Sequence, residues 1–253
     1  MPEDRMKKQF SCSERPPQEF HSEPRRPRMP SWICSAIVFD LDGVLVDSNA
    51  TSERHWQVWA AQRGIDYAEI EAIHFGRPTV EVIRKVAPHL DAVREAEGKE
   101  NTEADDTTTL QAFPGVASLL SALPVGRWGV ATSGKRRTAT IRLNYTGLPI
   151  PEVFVTANDI TRGKPDPEPY LLATKRLGFH PADCVVIEDA PSGIRSAKAA
   201  GARVIGVTTT NPPSALSEAD LILNAFADLQ LKVLPDGRLE FHWDGANERS
   251  ADQ

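Results

Sequence analysis

The sequence predicts an α/β fold, a Rossmann-like parallel sheet core with an inserted helical cap domain. Three observations predict it. Short apolar runs alternate with helix-period patterns along most of the 253-residue chain. The alternation stops over residues 51–112, which hold helical patterns and no convincing strand. Acidic, hydroxyl and lysine residues follow four of the apolar runs, the edge on which open α/β sheets bind their ligands.

Taken in order, residues 1–30 carry six prolines, many charges and little that is apolar. Such a segment cannot bury enough surface to offset its chain entropy, so a disordered tail is expected. Its Arg25, Arg26 and Arg28 read as solvated charges, and Met29 marks a second candidate start of translation. The apolar runs at 33–39, 128–132, 153–156, 185–187 and 203–207 read as buried parallel strands, with a weaker edge strand at 221–223. Between them 118–123, 136–145, 169–177 and 192–200 read as helices. Pro191 before the last helix and Gly201 after it match the preferred start and stop residues. Pro235-Asp236-Gly237 between 231–234 and 238–241 signals a hairpin.

Within 51–112, Arg54, Val58 and Ala61 share one helix face, as do His55 and Trp59, and Val80, Ile83 and Ala87 form an apolar stripe. The acidic stretch 91–106 is expected to be a solvated helix followed by a loop. The chain returns to the core at Phe113-Pro114-Gly115. The expected organisation is a tail at 1–30, a core at 31–50 and 113–245, a cap at 51–112 and a disordered C-terminal tail at 246–253.

Composition narrows the function. Hydrophobic residues make up 40% and charged residues 25%, which excludes a collagenous, low-complexity or wholly disordered chain. The net charge of −6, with no basic stripe in the body of the chain, argues against a nucleic-acid partner. No apolar run approaches the roughly 18 residues of a membrane span, so no membrane partner is expected. Three cysteines make no disulfide framework. Cys34 and Cys184 lie in or beside apolar runs and read as small buried hydrophobes, while Cys12 lies in the tail. A reduced, cytoplasmic setting fits, and no obligate protein partner is implied.

The chemistry gathers at the strand ends. Asp40-Leu41-Asp42-Gly43 follows the first run, Thr132-Ser133-Gly134 the second, Gly163-Lys164-Pro165 the third after a short loop, and Glu188-Asp189 the fourth. Each alone has a plain reading as a turn, a helix cap, a surface lysine or a complement to a helix dipole. In this order, and all at strand ends, they make a site.

Phe39-Asp40-Leu41-Asp42-Gly43-Val44-Leu45-Val46-Asp47-Ser48 resembles the first motif of the haloacid dehalogenase superfamily. Thr132, Lys164 and Glu188-Asp189 match its second, third and fourth motifs, and the resemblance covers about 33–242. Glu53-Arg54-His55-Trp56-Gln57-Val58-Trp59, Gly163 to Tyr170 and Glu188 to Ile194 are similar to the versions in its sugar- and polyol-phosphate phosphatases.

The resemblance implies a phosphatase acting through an aspartyl phosphate on a small phosphorylated sugar or polyol. Asp40 is the expected nucleophile, and Asp42, two positions on, the general acid and then general base. Asp40, the backbone carbonyl of Asp42, and Asp189 are the expected ligands of Mg²⁺, with Glu188 binding directly or through water. Lys164, Thr132 and the backbone at Ser133 and Gly134 are expected to hold the phosphoryl oxygens. Gly76 and Arg77, between cap helices, are expected to reach the substrate's hydroxyls. Dehalogenation attacks carbon and needs neither a second acid nor a metal, so Asp42 and the Glu188-Asp189 pair argue against it. A phosphosugar mutase of the β-phosphoglucomutase kind is the alternative, and a non-catalytic phosphosugar-binding regulator a remote one. The Gly76-Arg77-Pro78-Thr79 turn looks more like the phosphatase cap.

Overall fold

The computed structural model describes residues 31–74, 77–243 and 247–248. The expected N-terminal tail with Cys12 and Met29, Gly76, and most of the expected C-terminal tail lie outside the described residues.

The chain opens with β1 (Ser31–Cys34), β2 (Ala36–Phe39) and β3 (Val46–Asp47). Four helices follow: α1 (Asn49–Arg63), α2 (Tyr67–Glu71), α3 (Thr79–Val86) and α4 (Ala92–Ala104). Next come β4 (Gln111–Ala112), α5 (Val116–Ala122), β5 (Trp128–Ala131), α6 (Arg136–Tyr145), β6 (Val153–Val155) and α7 (Glu168–Leu177). The remainder is β7 (Cys184–Glu188), α8 (Pro191–Ala200), β8 (Arg203–Val207), β9 (Leu221–Leu223), β10 (Leu229–Val233), β11 (Leu239–Trp243) and β12 (Asn247–Glu248).

The main sheet has the order β12-β9-β8-β7-β2-β5-β6, parallel throughout except for β12 at its edge. Strand β2 is central. The chain builds outward from it through β5 and β6, then crosses back to β7 on its other side. The ends of β2, β5 and β7 therefore flank a topological switch point, where a crevice opens. Successive residues of β2 feed opposite cores. Ile37 and Phe39 join Val130, Val185 and Ile187 on the face covered by α5, α6 and the small sheet. Val38 joins Val186 and Val204 on the face covered by α7 and α8. Burial on both faces is why these strands read as continuous apolar runs. Cys34 and Cys184 are buried thiols, as expected, and burial pushes both up to about 12. Among the described residues, no helix is long and apolar enough to cross a membrane.

Several expectations change. The 33–39 run is two strands. Ser35 donates its N–H to the Asp183 carbonyl at 2.7 Å, and β1 leaves to pair antiparallel with β11 beside β10. Strands β3 and β4 form an antiparallel ribbon at the two crossings into the helical segment, too short at two residues each to leave a periodic signal. Asn247 and Glu248, expected in the tail, pair with Ile222 and Leu221, because an edge strand offers backbone groups whatever the partner's side chains.

The helical segment has its own core of Trp56, Trp59, Ala60, Ile70, Val82, Ile83, Ala87, Ala92 and Ala96. On α1 the face with Trp56, Trp59 and Ala60 is inward, and the face shared by Arg54, Val58 and Ala61 is the outer one, with Val58 half exposed. The acidic α4 is not a solvated helix. It buries Ala92, Ala96, Lys99, Glu103 and Ala104, and its two buried charged residues, Lys99 and Glu103, are paired.

Candidate active site

The carboxyl edge of the sheet brings the motif residues together. Asp40 leaves the end of β2, with its N–H donated to the Ile187 carbonyl at 3.0 Å. Thr132 follows β5 directly and accepts the Gly134 N–H at 3.0 Å, which shapes the turn into α6. Lys164 arrives on the loop between β6 and α7, and Glu188 is the last residue of β7.

Lys164 is 5% exposed and ties the group together. Its Nζ donates to Glu188 Oε1 at 2.7 Å and stands 2.9 Å from Asp40 Oδ1 as an ion pair without hydrogen-bond alignment. Tyr170 donates its hydroxyl to the same Glu188 oxygen at 2.6 Å. Glu188 Oε2 accepts the backbone N–H groups of Asp189 and Ala190 at 3.1 and 3.3 Å. Both oxygens of Glu188 are thus engaged by the protein.

Two glycines permit this packing. A Cβ on Gly193 would stand 1.6 Å from Glu188 Oε1. One on Gly43, whose φ is +78°, would stand 2.0 Å from Asp189 Oδ2. No side chain fits at either place, and at Gly43 the backbone conformation disfavours one as well. Asp189 accepts Thr210 Oγ1 on the same oxygen.

Charge in this group is out of balance. Asp40, Glu188 and Asp189 offer carboxylate oxygens that all lie within 4.8 Å of one another, against one lysine. Burial, with the charge of Glu188, pushes Asp40 up to about 7 although Lys164 opposes the shift. Burial, then Glu188 and Asp40, raises Asp189 well above the usual carboxylate range. Burial alone would lower Lys164, but Asp40 and Glu188 outweigh it and hold the ammonium charged.

A cavity of about 520 Å³ opens above these residues, lined by Asp40, Thr132 and Lys164 and also by Trp56, His74 and Arg77 of the helical segment. Asp42, Ser133, Gly134 and Asp189 also line it. His74 is buried, and burial together with Lys99 lowers it to about 4, so it is neutral near pH 7. Sequence reasoning assigned no part to Arg142, Lys99, Glu103 or Tyr170, all of which stand in or beside this cavity. Arg142 and Glu103 carry ordinary surface-helix chemistry in the sequence, and nothing there shows that α4 and α6 bury them against each other. Tyr170 was legible only as part of the Gly163–Tyr170 stretch.

A family profile described as haloacid dehalogenase-like hydrolase matches residues 37–207. The chain is 39% identical to "Hexitol phosphatase A" of Escherichia coli over 81% of this chain and 97% of that protein. It is 36% identical to "Glycerol-1-phosphate phosphohydrolase 1" of Saccharomyces cerevisiae over 70% of this chain and 75% of that one. A solved β-phosphoglucomutase from Clostridium difficile superposes with a TM-score of 0.63 at 26% identity, covering 78% of this chain and 93% of that one.

Proposed function

Since the chain belongs to the haloacid dehalogenase-like hydrolase family, we propose that it is a magnesium-dependent phosphatase of small sugar or polyol phosphate monoesters. The observation that carries the reading is Asp40 and Asp42 at the end of the central strand, with Lys164 beside Asp40 and a cavity over all three. Residues 31–50 and 113–245 act as the catalytic core, and 51–112 as a cap that supplies the far wall of the cavity.

Asp40 attacks phosphorus in line, forming an aspartyl phosphate as the P–O bond to the alcohol breaks. Asp42 gives its proton to the leaving alkoxide. Asp42 then takes a proton from water, whose oxygen attacks the same phosphorus and releases inorganic phosphate from Asp40. Lys164 carries positive charge to the phosphoryl oxygens, and Thr132 with the N–H groups at Ser133 and Gly134 positions them. Closure of the cap over the cavity would exclude bulk water and strengthen each of these interactions.

The residues fit a hard divalent cation. Asp40 Oδ1 is buried without an aligned donor, and three carboxylates converge on the spot. Asp40, Asp189 and the Asp42 carbonyl would hold Mg²⁺. Glu188, saturated by Lys164, Tyr170 and two N–H groups, would reach it through water. Bound there, the ion supplies positive charge to the phosphoryl group and offsets its repulsion by the carboxylates. Of the cap residues, Arg77 lines the cavity and is the one we assign to the substrate's hydroxyls, with Gly76 beside it in sequence. Buried free thiols at Cys34 and Cys184 fit a cytoplasmic enzyme.

Likeness to the hexitol phosphatase at 39% identity, against 30% for a Bacillus subtilis β-phosphoglucomutase, supports hydrolysis over isomerisation. The test is a panel of hexitol, hexose and glycerol phosphates, with free phosphate measured beside product isomers. Stoichiometric phosphate release is the expected result. Conversion of β-glucose 1-phosphate to glucose 6-phosphate without release would assign a mutase instead.

A further inference from the structure

Asp42 is held from within its own motif by Ser48, and also from outside all four motifs by Arg142. Its Oδ1 accepts Ser48 Oγ at 2.8 Å and is ion-paired to Arg142 Nη1. The other arm of the same guanidinium, Nη2, donates to Glu103 Oε1 at 2.8 Å. Arg142 sits on α6 of the core, and Glu103 on the last turn of α4 in the helical segment. Glu103 is held in turn by Lys99, one turn back on α4, whose ammonium lies 4.3 Å from the centre of the Trp56 ring.

Two other ion pairs cross between these helices, Glu100 with Lys135 at 3.1 Å and Asp105 with Arg137. The first is only part-buried and the second exposed, where screening and side-chain entropy leave such pairs little strength. Arg142 and Glu103 have side chains only 8% and 10% exposed. A buried pair tolerates no loss of a partner, so its geometry is enforced. The planar fork of an arginine also fixes two carboxylates relative to one another, which a lysine cannot do.

We infer that Arg142 is a positioning residue through which Glu103 of the cap orients the acid–base carboxylate Asp42. Ser48 and Arg142 engage Oδ1, and no hydrogen bond to Oδ2 exists among the described residues, so Oδ2 is the oxygen presented for proton transfer. The seating of α4 against α6 is thereby linked to the aim of Asp42. The inference rests on the proposed role of Asp42 as general acid.

The test is the leaving-group dependence of alcohol release in the first turnover. Glycerol phosphate expels an alkoxide that needs the proton of Asp42, whereas p-nitrophenyl phosphate expels a stable anion that does not. Asp42→Asn should slow alcohol release from the alkyl ester far more than from the aryl ester. Arg142→Met should shift the ratio of the two rates in the same direction by about tenfold, a fraction of the usual acid–base contribution. Arg142→Lys should restore part of it, Glu103→Gln should give an intermediate ratio, and Arg137→Ala in the exposed pair should leave the ratio unchanged.

Should Arg142→Met fail to fold, Arg142→Lys and Glu103→Gln carry the test. If Asp42→Asn slows both esters equally, the general-acid reading falls and the inference with it. If Asp42→Asn is selective while the Arg142 variants slow both esters equally, Arg142 is only structural and the inference is overturned alone. A wild-type ratio in Glu103→Gln beside an altered one in Arg142→Lys would overturn the link to the cap.

Discussion

Asp40, Glu188 and Asp189 crowd around one base, Lys164, whereas Asp42 and Glu103 alternate with Arg142 and Lys99. Both groups are largely buried, Asp42 being the most exposed member, and both face the same cavity, yet they respond to burial in opposite ways. In the first, burial and mutual repulsion push Asp40 up to about 7 and Asp189 higher than usual. In the second, burial would raise Glu103, but Lys99 and Arg142 outweigh it and hold Glu103 below its ordinary value. Three acids against one base leave an excess of negative charge that an added cation would offset. Two against two make a self-sufficient link between the halves of the molecule.

The largest expected effect breaks the first cluster at its reactive member. Asp40→Asn should abolish turnover below detection, because an amide cannot form the acyl phosphate. Phosphate release assays with magnesium present check it, and turnover by a protein freshly treated with chelator would defeat the mechanism outright.

Next comes the cation itself. If charge imbalance defines the first cluster, Mg²⁺ at about 100 times its dissociation constant should add roughly 2.7 kcal/mol of stability. Thermal melts with and without the ion read this as a rise of several degrees, and Asp189→Asn should remove most of the rise. An equal rise in Asp189→Asn would place the ion elsewhere.

Smaller again is the effect of filling the space behind Glu188. Gly193→Ala puts a methyl where Glu188 stands, 1.6 Å from its carboxylate oxygen, and should cost about 1–3 kcal/mol as overpacking while displacing Lys164. Denaturant midpoints check the stability. Gly98→Ala, on a helix where a Cβ meets nothing within 4 Å, is the harmless control.

The smallest effect is the sharpest comparison, the pH dependence of the metal-free protein. Asp40 has a folded value of about 7, above its ordinary 3.8, so the folded state binds more protons between them. Its contribution to stability falls as pH rises through that window. Glu103 is depressed, so its contribution is full above the ordinary glutamate range and is lost as pH drops below it. His74, lowered to about 4 from 6.5, opposes Asp40 over the same window, which is why single curves mislead. Melting temperatures from pH 4 to 7 in chelator should therefore fall more, or rise less, with pH in the wild type than in Asp40→Asn. Identical slopes would mean that the carboxylate cluster is not strained.

Much of this was legible residue by residue. Asp40, Asp42, Thr132, Lys164 and Glu188-Asp189 each follow an apolar run, and all line the one cavity. The helix at 136–145 was readable to the residue, since periodicity and its flanks agree. The 91–106 stretch was not. Its charges describe a solvated face as well as a paired one, and only the approach of α6 makes it the latter.

The sequence by itself determined the central parallel strands, the order of their functional ends and the family, because strand burial on two faces and strand-end chemistry are local patterns. Tertiary structure alone decided which charges are neutralised. Whether Glu188 is a free ligand or a spent acceptor depends on Lys164 and Tyr170, and whether Arg142 is solvated or buried depends on Asp42 and Glu103. Those partners lie 18 to 100 residues away along the chain, and the energy of a buried charge is set by what surrounds it in space, which no local pattern encodes.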